Sequence, residues 1–454
     1  MKTPLQDIPP VHRFTSDPIV AGFDALLGHA AVRAFVQSVL DAARERVRDG
    51  AAAADFASLR DAVVVELSHA QAQGLIPVIN GTGVLLHTNF GRAPLAETAL
   101  AAAATLGRGY TNLEYDLMAG QRGSRYDRVS HQLRELTGAQ ASLVVNNCAA
   151  AILLTLDTFA RDREVIVSRG QLIEIGGGFR LPDVLRKSGA LLVEVGTTNK
   201  TYAQDYRSAA GPATAMLMRT HPSNYRIGGF TAEVGSKELA ALARELGVLA
   251  FEDLGSGALV DLARFGLEHE PTVAEEIAAG MDLVAFSGDK LLGGPQCGII
   301  AGRSDLIERL RRNPLLRALR VDKLTLAALS ATLGLYLDPE RLDEIPFFAM
   351  LQTPLQELTE RARAIVASLK TKATVQVRNT EAATGGGTLP LARMPSAGIA
   401  IAAAGMGVTE LSQRLRDQRP PVIGRVEGDS FLIDLRCVRP DEDALVLHAL
   451  SCTL

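Results

Sequence analysis

The chain has 454 residues, 47% hydrophobic and 22% charged, and a formal net charge of -4 from 47 Lys and Arg against 51 Asp and Glu. It exceeds the ~150 residues typical of one domain and is too balanced to be collagen-like, disordered or a whole-chain polyanion binder. No apolar run reaches the ~18 residues of a membrane span, the start lacks a signal-peptide core, and Cys148, Cys297, Cys437 and Cys452 form no C-x-x-C pair. A cytoplasmic protein with reduced thiols, no membrane contact and no metal is expected.

In chain order, segments 18–28, 31–50 and 55–73 carry apolar residues at three- and four-residue spacing, separated by Gly28 and Gly50. They predict a small helical domain over residues 1–75. From Ile76 the texture changes to short apolar runs alternating with amphipathic segments, as in a βαβ series. Strands are predicted at 142–145, 165–168, 191–195, 215–218, 248–251, 283–286 and 299–301. Because each is a continuous apolar run, the fold class is α/β, with a mostly parallel sheet buried on both faces and ligands at the strands' carboxyl ends. This core is assigned to residues 76–323. A long helix at 324–337, an apolar run at 399–404 and a strand-like stretch at 431–435 mark a smaller α+β domain over 324–454.

The chemistry concentrates at three strand ends. Lys290 follows the apolar strand 283–286 in the glycine-rich turn AFSGDKLLGGPQCG (285–298). A lysine leaving the sheet into a crevice can have its pKa lowered and act as a Schiff-base nucleophile, as pyridoxal phosphate requires. Upstream, the strand 248–251 ends in Glu252-Asp253, and Asp253 is the carboxylate to keep the cofactor's ring nitrogen protonated. At SLVVNNCAAA (142–151) a strand passes into a helix whose free amides of Asn147, Cys148 and Ala149 suit a phosphate, with Ser287 as a further donor. Each signal is weak alone. Together they are fairly specific for a fold-type-I pyridoxal phosphate enzyme.

The motifs GTGVLLHTNFGRA (81–93), NLEYDL (112–117), SRGQLIEIGGGFRLPDV (168–184), EVGTTNKT (194–201), SNYRIGGFT (223–231), DLGSGALVDL (253–262), SGDKLLGGPQCGII (287–300), MPSA (394–397), PPVIGRVEG (420–428) and LIDLRC (432–437) go further. Through them the chain resembles the bacterial selenocysteine synthases, the L-seryl-tRNA(Sec) selenium transferases. The resemblance implies conversion of seryl-tRNA(Sec) to selenocysteinyl-tRNA(Sec) through a dehydroalanyl intermediate, with selenophosphate as donor and a Schiff base on Lys290. It also implies that Asp289 assists proton transfer or positions substrate, and that Arg92, Arg317 and Arg320 bind selenophosphate. A homo-oligomer, a decameric ring of dimers, and an RNA-binding N-terminal domain are further expectations from the family. The alternative within enzymes is a related β-eliminating lyase acting on a small amino acid or amino sugar acid.

Three features stand apart from that pattern. Residues 1–75 hold seven Lys or Arg against nine Asp or Glu, which is no electrostatic footprint for RNA. Asn313-Pro314 reads as a helix N-cap with proline at the first position, which predicts Arg317 and Arg320 on one helix face. His87 and His221 have no ligand-spaced partner and read as structural histidines, His221 lining the pocket, while Gly385–Gly387 reads as a loop without a dinucleotide motif.

Overall fold

The computed structural model describes residues 8–52, 54–72, 74–175, 178–402 and 405–454. The chain divides between Val78 and Ile79 into two compact units.

In the first unit, Asp17 caps the short helix Pro18–Ala21 by accepting from the Ile19 amide at 2.9 Å, with Pro18 in the first turn. The expected helix at 18–28 is two helices, Pro18–Ala21 and Asp24–Leu27, because Gly22 and Gly28 interrupt the run. Helices His29–Arg48 and Phe56–Ala72 follow. Val32, Val36 and Leu40 repeat at four residues on one, and Leu59, Val63 and Leu67 on the other, so each buries one stripe around Phe14 and Val20.

The second unit is built on seven strands. In chain order they are β1 (Ala141–Val145), β2 (Glu164–Ser168), β3 (Leu191–Val195), β4 (Thr214–Thr220), β5 (Leu249–Gly255), β6 (Leu283–Ser287) and β7 (Gly298–Gly302). Their order in the sheet is β1-β7-β6-β5-β4-β2-β3, and only β7 runs antiparallel to its neighbours. All seven strands occur where the apolar runs place them. β4, β6 and β7 are buried along their whole length, but β3 lies at the edge and leaves Leu191 54% exposed, so burial on both faces fails there. β5 continues past Phe251 because Asp253 pairs with Thr220 on one side and Ala285 on the other. Asp253 is therefore a strand residue, fixed by the sheet rather than by a turn.

Beyond helix Lys323–Tyr336, strands β8 (Thr374–Ala382), β9 (Met394–Ala402), β10 (Arg425–Glu427) and β11 (Ser430–Asp434) form an antiparallel sheet in the order β8-β9-β11-β10. Of the apolar run 399–404, positions 403 and 404 lie outside the described residues. Helices Leu355–Ser368, Val408–Arg416 and Asp443–Thr453 contribute Leu358, Leu411 and Val446 to the second apolar core beneath this sheet. Ile79–Asn80 pairs in parallel with Val422–Ile423, and the amides of Leu85 and Leu86 donate to the carbonyls of Ala383 and Thr384. These bonds bring the loop after β8 over the carboxyl ends of the six parallel strands.

Candidate active site

At those strand ends a cavity of about 300 Å³ is lined by Arg92, Asn147, Cys148, Ala149, Asp253, Ser287, Asp289 and Lys290. β1, β5 and β6 are brought together by the sheet, so residues far apart in sequence converge. Lys290 is only 5% exposed; burial, against the opposing effect of Cys148 and with some help from Arg92, lowers its pKa below the ordinary lysine value. Burial raises the Asp253 carboxyl to about 6, and Lys290 partly offsets that rise. The Cys148 thiol is 3.6 Å from Asp253 Oδ1, and burial pushes its own pKa well up, so it is a neutral donor to the carboxylate.

The end of the cavity at helix Cys148–Phe159 is local structure. Asn147 caps helix Cys148–Phe159 through Oδ1, which accepts from the Ala150 amide at 2.9 Å. The Cys148 and Ala149 amides belong to the first turn, where helical N–H groups have no intrahelical acceptor and favour an anion. Gly298 on β7 makes room for this turn, since a Cβ there would run into the Asn147 backbone. Between Asp253 and Lys290 lies Gly255, at φ +67, where an added Cβ would stand 3.7 Å from Asp253 Oδ1 and 3.8 Å from Lys290 Nζ. Thr220 Oγ1 and His221 Nδ1 line the same cavity and are buried without a hydrogen-bond partner. A flat ring needing a carboxylate at one end, an amine at its edge and amides for a phosphate fits this donor set.

Arg92 sits at positive φ (63°) after Gly91 and donates to Asp289 Oδ2 at 2.9 Å. The pair stands beside Lys290 at the cavity wall. Arg317 and Arg320 do not line this cavity. They also do not share a helix face: Asn313 ends helix Ser304–Arg312, its side chain is held by Asp157 at 2.7 Å, and Arg320 is extended beyond helix Leu316–Leu319. Arg317 is exposed, and Arg320 lies 3.8 Å from Glu114, which also takes the Arg122 and Arg125 guanidiniums.

Two parts of the cavity were not assigned from sequence. Thr220 ends β4, the strand beside β5, and adjacency to Asp253 was the available signal. His221 does line the cavity, but it has a partner: Nε2 is 3.1 Å from the buried Glu270 Oε1. Gly387, from the loop read only as lacking a dinucleotide motif, comes down onto Lys290.

A family model described as L-seryl-tRNA selenium transferase matches residues 78–439. The L-seryl-tRNA(Sec) selenium transferase of Moorella thermoacetica is 50% identical over 92% of this chain and 90% of its own. That of Desulfomicrobium baculatum is 47% identical over the full length of both. Among solved structures, D-glucosaminate-6-phosphate ammonia-lyase superposes with a TM-score of 0.60 at 19% identity, covering 84% of this chain and 97% of that one, a likeness of fold alone. The common architecture is the fold-type-I pyridoxal phosphate fold.

Proposed function

The chain belongs to the L-seryl-tRNA selenium transferase family, whose reaction turns seryl-tRNA(Sec) into selenocysteinyl-tRNA(Sec), and on that premise we propose how its own residues divide the work. The observation that carries the proposal is the convergence of Lys290, Asp253 and the first turn of helix Cys148–Phe159 on one cavity. Pyridoxal phosphate, when bound, supplies an electron sink that acidifies the seryl α-proton and lets the β-hydroxyl leave. Lys290 Nζ would hold the cofactor at its aldehyde carbon. The same amine, when free, would be the base for the α-proton, and its lowered pKa keeps a larger share neutral.

Asp253 holds the ring nitrogen in its protonated state, and Cys148 fixes the carboxylate that does so. The amides of Asn147, Cys148 and Ala149 and the Ser287 hydroxyl hold the phosphate. Arg92, oriented by Asp289, binds selenophosphate together with Arg317 and Arg320. The last two lie outside the single-chain cavity, so they act in a homo-oligomer, a decameric ring of dimers, where a second copy completes the site. Residues 1–75 bind the tRNA, and the protein works in the cytoplasm. Among the described residues no helix is long and apolar enough to cross a membrane.

The test is the visible absorbance of the purified protein with seryl-tRNA(Sec) and with free serine. A cofactor band that responds to the charged RNA alone is expected. A response to a small amino acid alone would favour a lyase, and no band after reconstitution would overturn the scheme. Arg317→Ala and Arg320→Ala are expected to keep the band and lose selenium incorporation.

A further inference from the structure

A second cavity, of about 330 Å³, adjoins the one around Lys290, and His221 lines both. We propose that it holds the terminal nucleoside of the RNA-borne seryl ester. This rests on the transferase reading and names the part of the substrate taken there. The roughly 300 Å³ around Lys290 has to take pyridoxal phosphate and the seryl group together, which leaves no room for the ribose and base that carry the ester. The ester must continue into space directly beside the Lys290 cavity. The cavity beyond His221 is such a space.

Its chemistry fits a neutral nucleoside better than an anion. Lys200 and Arg226 face Glu233, Glu268 and Glu270 across the lining, with no excess of positive charge. Arg226 is already paired with Glu268 at 2.7 Å, and Glu270 stands 3.1 Å from His221. A free phosphate or selenium oxyanion would meet three carboxylates here, one of them already holding Arg226, and, among the described residues, no helix N-terminus like that of Cys148–Phe159 in the neighbouring cavity. Thr197 and Asn199 supply hydrogen-bonding groups, and Ile227 and Leu389 supply apolar surface.

Two aromatic rings offer faces to a base. Tyr225 lines the cavity and its hydroxyl donates to the Gly170 carbonyl, which fixes the ring's direction. Phe230 is not itself part of the lining, but it lies in sequence between the lining residues Ile227 and Thr231, is 90% exposed, and its carbonyl accepts from the lining residue Asn199 through Nδ2 at 2.7 Å. An exposed aromatic at the rim of a polar cavity is how proteins hold unpaired nucleotides, because every base has a face that stacks. The acceptor end of an aminoacylated tRNA is unpaired and finishes in adenosine.

The probe is 3′-deoxy-3′-(L-seryl)amino-adenosine, titrated into the full-length holoenzyme while the cofactor band is followed, with free serine as control. The analogue is expected to shift the band at a concentration at least about tenfold below serine. Phe230→Ala, at an exposed position, and Tyr225→Ala should each raise the half-maximal concentration about tenfold, as loss of one stacking face does. An analogue no better than serine, or variants that titrate like the wild type, would overturn the nucleoside subsite. If seryl-tRNA(Sec) shifts the band and the analogue does not, the subsite alone falls. If neither does, the transferase reading falls with it.

Discussion

Gly387 and Lys290 meet so closely that a Cβ at position 387 would lie 2.9 Å from Lys290 Nζ and 3.1 Å from its Cε. The backbone there has φ +82, which glycine adopts freely and other residues rarely do. Gly387→Ala should therefore act twice. It should cost roughly 1–2 kcal/mol of stability from the left-handed backbone, and it should displace the lysine from its place between Gly255 and the loop. The expected result is a lowered thermal midpoint and a cofactor band that is lost on gel filtration. A variant with wild-type band and turnover would mean that the loop moves aside freely.

Lys290→Ala should lower turnover by at least about 10²–10⁴-fold, the usual contribution of a positioned proton-transfer group. Asp253→Asn keeps the shape and loses the charge, and it separates the electrostatic role from packing. Because burial raises Asp253 to about 6, its ionised form disappears as pH falls through that value. Binding of pyridoxal phosphate to the cofactor-free protein should weaken over the same range, and in Asp253→Asn it should be weak throughout. Equilibrium titrations between pH 5 and 8 measure this, and identical profiles for the two proteins would remove Asp253 from the role.

The seven-stranded sheet was legible because each strand is a short run of apolar, often β-branched residues bounded by turns, a pattern that parallel burial imposes directly. The convergence of Lys290, Asp253 and the Asn147 turn was legible for the same reason, since strand ends of one sheet must be neighbours. What sequence missed depended on contacts between distant elements. Nothing local to Gly385–Gly387 says that β8 carries it over Lys290; that follows from the pairing of Leu85 and Leu86 with Ala383 and Thr384. Asn313 does cap the turn that follows it, its Oδ1 accepting from the Leu315 amide at 2.9 Å while its Nδ2 donates to Asp157 and Thr158, but that helix ends at Leu319 and leaves Arg320 in extended backbone, off the face that carries Arg317.

The ion pair between Arg92 and Asp289 separates two roles for the carboxylate. Asp289 Oδ2 accepts from Arg92 at 2.9 Å, and its side chain is nearly buried while that of Arg92 is partly exposed. A carboxylate so engaged orients a guanidinium; it does not stand free to carry a proton. Asp289→Asn should then raise the apparent KM for selenophosphate about tenfold while the band still responds to seryl-tRNA(Sec) at the wild-type rate. Stopped-flow absorbance decides it. A slowed response to the RNA would instead assign Asp289 to proton transfer.

On the other face of β5, Glu252 reports on stability rather than on the reaction. It is fully buried and 2.7 Å from Arg219, which also lies 3.9 Å from both Glu276 and Glu233. Three carboxylates around one guanidinium cannot all be ionised without a net buried negative charge, and Glu233 is the most exposed of them. Burial accordingly raises Glu252 to about 8, with Glu276 and Asp253 adding to the rise and Arg219 opposing it. A carboxyl whose folded pKa lies above its unfolded value stabilises the fold fully below that unfolded value, and the contribution is lost as pH climbs through the folded one. The window runs from about 4.5 to about 8. The wild-type thermal midpoint should fall as pH rises across it, and Glu252→Gln, which keeps an acceptor for Arg219 without titrating, should flatten that slope. Melting curves at closely spaced pH values provide the measurement, and equal slopes in the two proteins would show that Glu252 does not titrate in this window.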